Sequence, residues 1–314
     1  MSELFSIYLR ELTNSTNIRT EITKVLGYFD YFKFPLTLVE IQKFLEIKVE
    51  ETELKKELNA MTSEGLIFCF KDCFLLHNLP ERVDRKLQGM KYAQKRMKRA
   101  QFISWFIMCF PFVRMVAISG SLSKYYADKT TDIDFFVITT ENQLWTSRTL
   151  LHLLKKLTFL VRLQHSFCMN YFLSENHLNI EENNYFTAVE LATLIPNKGR
   201  WYYQELLAQN DWVHSYLPNF TFERKQISKQ RPSFLKRIME FCLGSNWLNT
   251  SLMKLTDRRW QNKWKKKGYD PQDYDLAFKT QLYVSKNHPG NYQKKILNHL
   301  ESIHIQASNK LDKN

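Results

Sequence analysis

The sequence predicts an α+β protein on the basis of its length, its composition and the spacing of its apolar residues. Its 314 residues correspond to roughly two domains of ordinary size. Hydrophobic residues make up 44% of the chain and there are only 8 Gly and 8 Pro, which excludes disordered, collagen-like and low-complexity chains. Apolar residues recur at helical spacing in both terminal parts, whereas the centre carries short apolar runs that are typical of buried strands.

Residues 1–79 predict a winged-helix-like module. Helical periodicity covers about residues 17–32, a second helix follows an N-cap at Thr37, and a third helix spans about residues 51–64. Two short strands within residues 66–77 then form a hairpin. Three helices followed by a hairpin are the outline of a winged helix.

The third predicted helix of this module carries a net negative charge. Its two lysines are outnumbered by Glu51, Glu53, Glu57 and Glu64. A negative helix is poorly suited to a groove lined with phosphates. We therefore expect the module to contact a protein partner or to pack within the chain, and nucleic-acid binding is not favoured.

Positive charge is concentrated in two stretches of the chain, whose net charge is +13. Residues 80–100 contribute +6, from eight basic and two acidic residues, within a predicted long basic connecting helix over residues 80–111. Residues 223–267 contribute +10, from thirteen basic and three acidic residues. Such charge attracts nucleoside triphosphates, nucleic acid or acidic lipid, although two solvated helix faces would show the same pattern.

The sequence contains no segment typical of a membrane span or a secretory leader. The longest apolar stretch, residues 102–120, is interrupted by Pro111 and Arg114, and a bilayer helix needs about 20 consecutive apolar residues. The first residues lack a basic region followed by an apolar one, and the 5 Cys form no zinc-type pairs. We expect a cytoplasmic protein with free thiols and no membrane span.

The centre of the chain combines a turn of small residues with a pair of carboxylates. An apolar run at residues 112–119 predicts a buried strand, and Gly120 and Ser121 follow it directly. After a polar loop, Asp132 and Asp134 begin a second strand, whose period of two places both carboxylates on one side. Mg²⁺ removes their mutual repulsion, and it prefers carboxylates together with substrate phosphates. A glycine lets backbone approach a phosphate closely, and a serine supplies a hydroxyl.

The run from Ile118 to Thr139, ISGSLSKYYADKTTDIDFFVIT, resembles the signature of the DNA polymerase beta-type nucleotidyltransferase superfamily. That signature is an apolar strand, Gly-Ser, a loop, and Asp-x-Asp on a second strand. The resemblance extends over about residues 112–173, and residues 185–220 also look like bacterial proteins of uncertain substrate that carry this domain. It implies a nucleotidyltransferase fold with a small mixed sheet in residues 112–220.

The resemblance also implies a mechanism with named residues. Asp132 and Asp134 would hold one or two Mg²⁺, and Gly120 and Ser121 would hold the β- and γ-phosphates of a nucleoside triphosphate. Lys124 would add a positive charge nearby, or it is a basic loop residue with no fixed partner. An acceptor hydroxyl would attack the α-phosphorus in line and release pyrophosphate.

The third carboxylate that is usual in this superfamily is absent from its expected position. The strand that follows the next helix places Asn170 there, and an amide can ligate a metal but cannot act as a general base. Glu175 and Glu190 are two possible substitutes for the missing carboxylate. Glu175 lies just past that strand, and Glu190 lies in a helix expected over residues 187–194. We take Glu190 as the candidate catalytic base.

Residues 221–314 predict a basic, helical C-terminal region. One helix is expected over about residues 232–255, and a basic, aromatic stretch follows it. The polar segment 284–291 includes Lys286 and His288, which could reach a phosphate or an acceptor. A Pro-Gly turn between two helices is the favoured interpretation of that segment.

The leading hypothesis is a Mg²⁺-dependent nucleotidyltransferase that transfers a nucleoside monophosphate from a nucleoside triphosphate to an unknown acceptor hydroxyl. The alternative is a catalytically impaired protein of the same fold that serves as a nucleotide- or partner-binding module, because Asn170 replaces a carboxylate. A third hypothesis is a nucleic-acid-binding regulator that uses the winged-helix-like module and the basic helices. P-loop, zinc-protease and dinucleotide-binding motifs do not occur in the sequence.

Overall fold

The structure is a computed structural model that describes residues 17–129, 131–158 and 168–311, with backbone alone at residues 157–158 and 303–311. Its N-terminal part consists of three helices and a hairpin, as the sequence predicts. These elements are α1 (residues 17–30), α2 (Leu38–Phe44), α3 (Glu51–Ser63), β1 (Phe68–Phe70) and β2 (Cys73–Leu75).

The second helix begins with a capping box. The Thr37 hydroxyl accepts a hydrogen bond from Glu40 N at 3.3 Å, and the Glu40 carboxylate accepts one from Thr37 N at 2.8 Å. These bonds satisfy two donors that the helix itself leaves free. Leu36, just before the cap, forms an antiparallel bridge with Phe74 in β2. The start of α2 is thereby tied to the hairpin.

The negative charge of α3 takes part in packing within the N-terminal part. Arg19 in α1 donates to Glu57 at 3.0 Å and to both oxygens of Glu64, at 2.8 and 2.9 Å. Glu57 is 9% exposed, so its ion pair with Arg19 compensates a mostly buried charge. Two of the acidic residues singled out in the sequence therefore help to join α3 to α1.

A six-stranded mixed sheet forms the centre of the protein, in the order β6-β3-β4-β5-β8-β7. Its strands are β3 (Val113–Ser119), β4 (Asp134–Thr139), β5 (Cys168–Ser174), β6 (Ile195–Lys198), β7 (Phe278–Thr280) and β8 (Val284–Asn287). Strands β4 and β5 are parallel, and the other neighbouring pairs are antiparallel. The protein is therefore of the mixed α+β class that the sequence predicts.

Ten more helices surround this sheet in the part of the chain that the structure describes. They are α4 (Glu81–Met108), α5 (Gly120–Ser123), α6 (Leu144–Thr158), α7 (Tyr185–Thr193), α8 (Arg200–Gln209), α9 (Val213–Tyr216), α10 (Phe234–Leu243), α11 (Asn246–Lys266), α12 (Pro271–Ala277) and α13 (Tyr292–Leu311). The long basic helix expected over residues 80–111 corresponds to α4.

Successive side chains of a strand point to opposite faces of the sheet, and apolar side chains are buried on both faces. Along β3, Val116 and Ile118 belong to a core that includes apolar residues of α4 and α6. Met115 and Ala117 belong to a second core, which continues into α1, α2, α3 and α7. The N-terminal helices thus share one continuous core with the sheet.

Three elements differ from the sequence-based expectation. The predicted break around Pro196 is strand β6, and an edge strand tolerates proline because it has no partner on one side. The helix expected over residues 232–255 is divided into α10 and α11, and Ser245 caps α11 by accepting from Leu248 N. The C-terminal region is not purely helical, because residues 278–280 and 284–287 add two strands to the sheet.

In the residue ranges given above, no helix combines the length and the apolar character that crossing a bilayer requires. The apolar stretch noted in the sequence is divided between the end of α4 and β3. Ile103 and Ile107 in α4 pack into the core beneath that strand. All five cysteines are free thiols, as expected.

Candidate functional site

Gly120 and Asp134 lie against each other, at the end of β3 and at the start of β4. Ser119, the last residue of β3, pairs with Asp134, the first residue of β4. Gly120 has a φ of +68°, and a Cβ built on it would lie 2.6 Å from Asp134 Oδ2. Glycine is therefore required here for two reasons, the left-handed backbone and the close approach of the carboxylate.

Asp134 is a carboxylate in an unfavourable environment for its charge. Burial raises its pKa to about 6, a hydrogen bond with Cys168 opposes the rise, and the negative charges of Asp132 and Glu190 add to it. A positive charge beside Asp134 would remove this penalty. The site thus has the electrostatic property expected of a carboxylate that binds a cation.

Asn170 lies beside Asp134 at the start of the parallel pair β4 and β5. Its Nδ2 donates to Asp134 Oδ1 at 3.1 Å, and the same nitrogen lies 3.1 Å from Cys168 Sγ. A register shift between β4 and β5 occurs at this point, between Phe135 and Phe136. The amide stabilises the charge of Asp134, whereas a third carboxylate in this position would repel it.

Lys124 has a fixed partner, so it is not the loop residue without a partner that one of the two interpretations expected. Its Nζ lies 2.7 Å from Glu190 Oε1 and 3.3 Å from the carbonyl oxygen of Gly120. Both side chains of the ion pair are mostly buried, at 15% and 29% exposed. The pair joins the turn after β3 to α7 and places the candidate base Glu190 next to that turn.

Asp132 precedes β4 by two residues and so lies outside the strand on which the sequence placed it. Ile133 between the two aspartates is fully buried, and both aspartates are partly exposed, which matches the predicted alternation. Glu175, the other candidate base, forms an ion pair with Lys229 at 3.2 Å. It is not among the groups that line the cavity described next.

A cavity of about 700 Å³ opens at the Gly120 turn. Its first end is lined by Gly120, Ser121, Lys124, Asp134 and Asn170, and Glu190 adjoins them. Ligand sites in proteins commonly have volumes of roughly 300–1,000 Å³, so this cavity has the size of a site for a small organic ligand. Of the residues that the sequence analysis assigned to the metal, to the phosphates or to the role of base, only Asp132 and the alternative base Glu175 do not line this cavity.

Aromatic rings form the sides of the cavity. Phe136 and Tyr171, on neighbouring strands, stack with centroids 5.0 Å apart and planes 13° apart. Helix α1 and the segment that follows it contribute Phe29, Phe32 and Phe34 to the lining of the same cavity. Flat apolar surfaces of this kind suit a planar ring system. The N-terminal part is therefore a wall of the cavity as well as a packing partner of the sheet.

Polar groups from the C-terminal region line the far end of the cavity. Lys286 is 5% exposed, and its Nζ lies 3.1 Å from oxygens of both Glu182 and Gln293. Burial lowers the pKa of His288 to about 4, with the charge of Lys286 contributing, so this imidazole is neutral at pH 7. Asn291 is 7% exposed, and neither its Nδ2 nor its Oδ1 has a hydrogen-bond partner among the described residues.

The sequence predicts a simple turn at this far end and contains no pattern that distinguishes Asn291, Gln293 or Glu182. The pairing of β8 with β5, which joins residues far apart in sequence, brings Lys286 into this region. Only the density of polar residues at 284–291 distinguished the segment. Lys286 and His288, which the sequence analysis did name, both line the cavity.

The donor groups at the first end suit a cation that is shared with a ligand. Among the described residues, no group of three or more His, Cys, Asp and Glu side chains is placed to hold a metal ion. Asp134 and Asn170 line this end, and Asp132, which does not line the cavity, lies close enough for its negative charge to raise the pKa of Asp134; that raised pKa marks Asp134 as a group that a cation would stabilise. Mg²⁺ commonly binds through one or two carboxylates and takes its other ligands from phosphates and water. These residues therefore fit Mg²⁺ in the presence of a polyphosphate.

Comparison of the chain with protein-family models, with curated proteins and with solved structures yields no match.

Proposed function

We propose that the protein is a Mg²⁺-dependent nucleotidyltransferase, which transfers a nucleoside monophosphate from a nucleoside triphosphate to an acceptor hydroxyl and releases pyrophosphate. The observation that supports this most is the contact of Gly120 with the Asp134 carboxylate at one end of a nucleotide-sized cavity. The proposal includes a winged-helix-like module in residues 1–79 and a nucleotidyltransferase domain that begins at residue 112. Strands β7 and β8 belong to its sheet, so the proposed domain extends beyond residue 220.

The turn after β3 would bind the β- and γ-phosphates. Gly120 and Ser121 both line the cavity, so a phosphate would meet the backbone of this turn, and Ser121 adds a hydroxyl. Lys124 lies beside the same turn, and a phosphate would compete with Glu190 for its ammonium group. Binding of the triphosphate would therefore weaken the Lys124–Glu190 ion pair.

Asp132, Asp134 and Asn170 would hold the cation, which when bound supplies charge stabilisation at the reacting phosphate. With a pKa of about 6, Asp134 is mostly ionised at neutral pH and mostly protonated at pH 5. Cation binding would stabilise its ionised form. The affinity for Mg²⁺ is therefore expected to fall steeply as the pH decreases below 6.

Glu190 is the candidate group that takes the proton of the acceptor hydroxyl. It lines the cavity beside the turn, and release of Lys124 to a phosphate would free its carboxylate to accept a hydrogen bond from the acceptor. The aromatic sides and the polar far end, including the unpartnered amide of Asn291, would hold the nucleoside and the acceptor. The proposal assigns these groups to the two ligands together.

The test compares the wild type with the double variant Asp132→Ala/Asp134→Ala. Binding of ATP, GTP, CTP and UTP is measured separately by titration calorimetry with and without Mg²⁺, and pyrophosphate release is followed with a panel of hydroxyl acceptors. We expect Mg²⁺-dependent binding of at least one triphosphate by the wild type only. Equal binding of all four by both proteins would contradict the proposed site.

A second function is favoured by Asn170, which stands where a third carboxylate would activate the acceptor. In that case the protein is a nucleotide-binding module without transferase activity. Turnover separates the two functions: Mg²⁺-dependent triphosphate binding with no pyrophosphate release over hours, across the acceptor panel, would support the binding module.

A further inference from the structure

Helix α10 presents its apolar side to solvent and its polar side to the protein. Phe234, Leu235, Ile238 and Phe241 are 77%, 66%, 44% and 90% exposed. At 100° per residue these positions lie within one arc of the helix surface. In an ordinary surface helix that arc faces the core, so the orientation of α10 is inverted.

Two charged side chains on the opposite arc hold α10 in this orientation. Lys236 is 5% exposed, and its Nζ donates to the carbonyl oxygens of Met108 at 2.8 Å and Val113 at 2.6 Å. One turn later, the Glu240 carboxylate accepts from both terminal guanidinium nitrogens of Arg114, at 2.7 and 3.0 Å. Rotation of the helix to bury its apolar arc would break these bonds and leave buried charges uncompensated. These contacts therefore keep the apolar arc of α10 exposed.

Lys236 anchors α10 at Met108, the last residue of α4, and two more exposed apolar side chains lie within the two turns of α4 before that anchor. Phe102 and Trp105 in α4 are 66% and 52% exposed, with ring centroids 6.0 Å apart. Trp247, at the start of α11, is 77% exposed. The apolar patch consists of Phe102, Trp105, Phe234, Leu235, Ile238, Phe241 and Trp247. A concentration of large exposed apolar side chains marks an interaction surface.

Exposed basic residues lie close in sequence to the members of this apolar patch. Arg231 and Arg237, which lie before and within α10, are exposed, and so are Lys98 and Arg99, one turn before Phe102. The patch residues of α10 and α11 lie in the segment that carries +10, and Phe102 and Trp105 follow just after the segment that carries +6; the two segments together exceed the net charge of the protein, +13. An occupant of this surface must therefore combine an apolar layer with negative charge.

We propose that the apolar patch docks on a lipid surface with anionic headgroups, so that the protein binds the face of a membrane without crossing it. Basic residues that border exposed Phe, Trp and Leu side chains are the composition of helices that lie in the membrane interface. A second copy of the chain would place equal positive charges against each other, and nucleic acid offers no apolar layer to the phenyl rings of α10. An anionic lipid surface supplies both requirements.

The test is co-sedimentation of the full-length protein with vesicles, either phosphatidylcholine alone or phosphatidylcholine mixed with phosphatidylglycerol. We expect binding to the mixed vesicles, weaker binding to the neutral ones, and a decrease with added salt. Phe234→Glu and Phe241→Glu should each reduce partitioning at least about tenfold, since each removes an apolar side chain from the interface. Leu66→Glu is the matched control, because Leu66 is 53% exposed in the N-terminal part, and its partitioning should not change.

Thermal unfolding of each variant serves as the folding control, and replacement of the 90% exposed Phe241 is expected to leave the unfolding temperature nearly unchanged. The proposal is overturned if mixed vesicles bind no more protein than neutral ones, or if Leu66→Glu loses as much binding as Phe241→Glu. It is also overturned if the wild type is a dimer in solution that Phe241→Glu dissociates, because the occupant is then a second copy.

Discussion

Replacement of Gly120 with Ala should disturb Asp134 directly, and the chain offers a matched control. An L-residue at the φ of +68° costs about 1–2 kcal/mol, and the added Cβ would lie 2.6 Å from Asp134 Oδ2, so the carboxylate or the turn must move. Gly65 has a φ of +72°, but a Cβ there meets nothing within 4 Å. The difference between Gly120→Ala and Gly65→Ala therefore isolates the contact with Asp134 from the backbone cost.

Urea unfolding measures the free energy of both variants, and titration calorimetry measures their binding of ATP with Mg²⁺. We expect Gly65→Ala to lose about 1–2 kcal/mol of stability and to retain binding, because its cost is confined to the backbone. Gly120→Ala should lose more stability and should lose Mg²⁺-dependent binding. Equal destabilisation of the two variants together with equal ATP binding would refute the contact on which the proposed site rests.

Three further predictions concern the same end of the cavity. In EDTA, the free energy of unfolding of the wild type, measured against that of Asp134→Asn, should fall by at most about 3 kcal/mol as the pH rises from about 4 to about 6. The reason is that the raised pKa of Asp134 makes its ionisation costly in the folded protein. Urea unfolding across this pH range tests the prediction. Asn170→Asp should tighten Mg²⁺ binding measured by calorimetry at pH 7 and should lower stability in EDTA. Lys124→Met and Glu190→Gln should show a coupling energy of about 1 kcal/mol in a double-mutant cycle of unfolding, whereas additive effects would show that the ion pair contributes nothing.

Local sequence patterns predicted the part of the site that is formed by neighbouring segments. The apolar run before Gly120 is strand β3, and the second run begins β4 at Asp134. The N-cap at Thr37 also gave the start of α2, because a capping side chain bonds within the first turn of its own helix. In each case the contacts that determine the structure join residues that lie close together in the sequence.

The far end of the cavity and the position of α10 could not be predicted in the same way. Strand β8 is short and polar, and its place beside β5 brings Lys286 and Asn291 to the cavity through a contact of long sequence separation. The apolar arc of α10 is evident in the sequence, but periodicity alone assigns that arc to the core. Its inversion depends on the anchoring of Lys236 and Glu240 at the end of α4 and the start of β3.

The most direct test of the central claim is a crystal structure of the protein with a non-hydrolysable nucleoside triphosphate and Mg²⁺. The proposal predicts the triphosphate on the Gly120–Ser121 turn, with a magnesium ion roughly 2.1 Å from a carboxylate oxygen of Asp134. A triphosphate bound elsewhere, or one bound at this turn with no metal ion at Asp134, would contradict it.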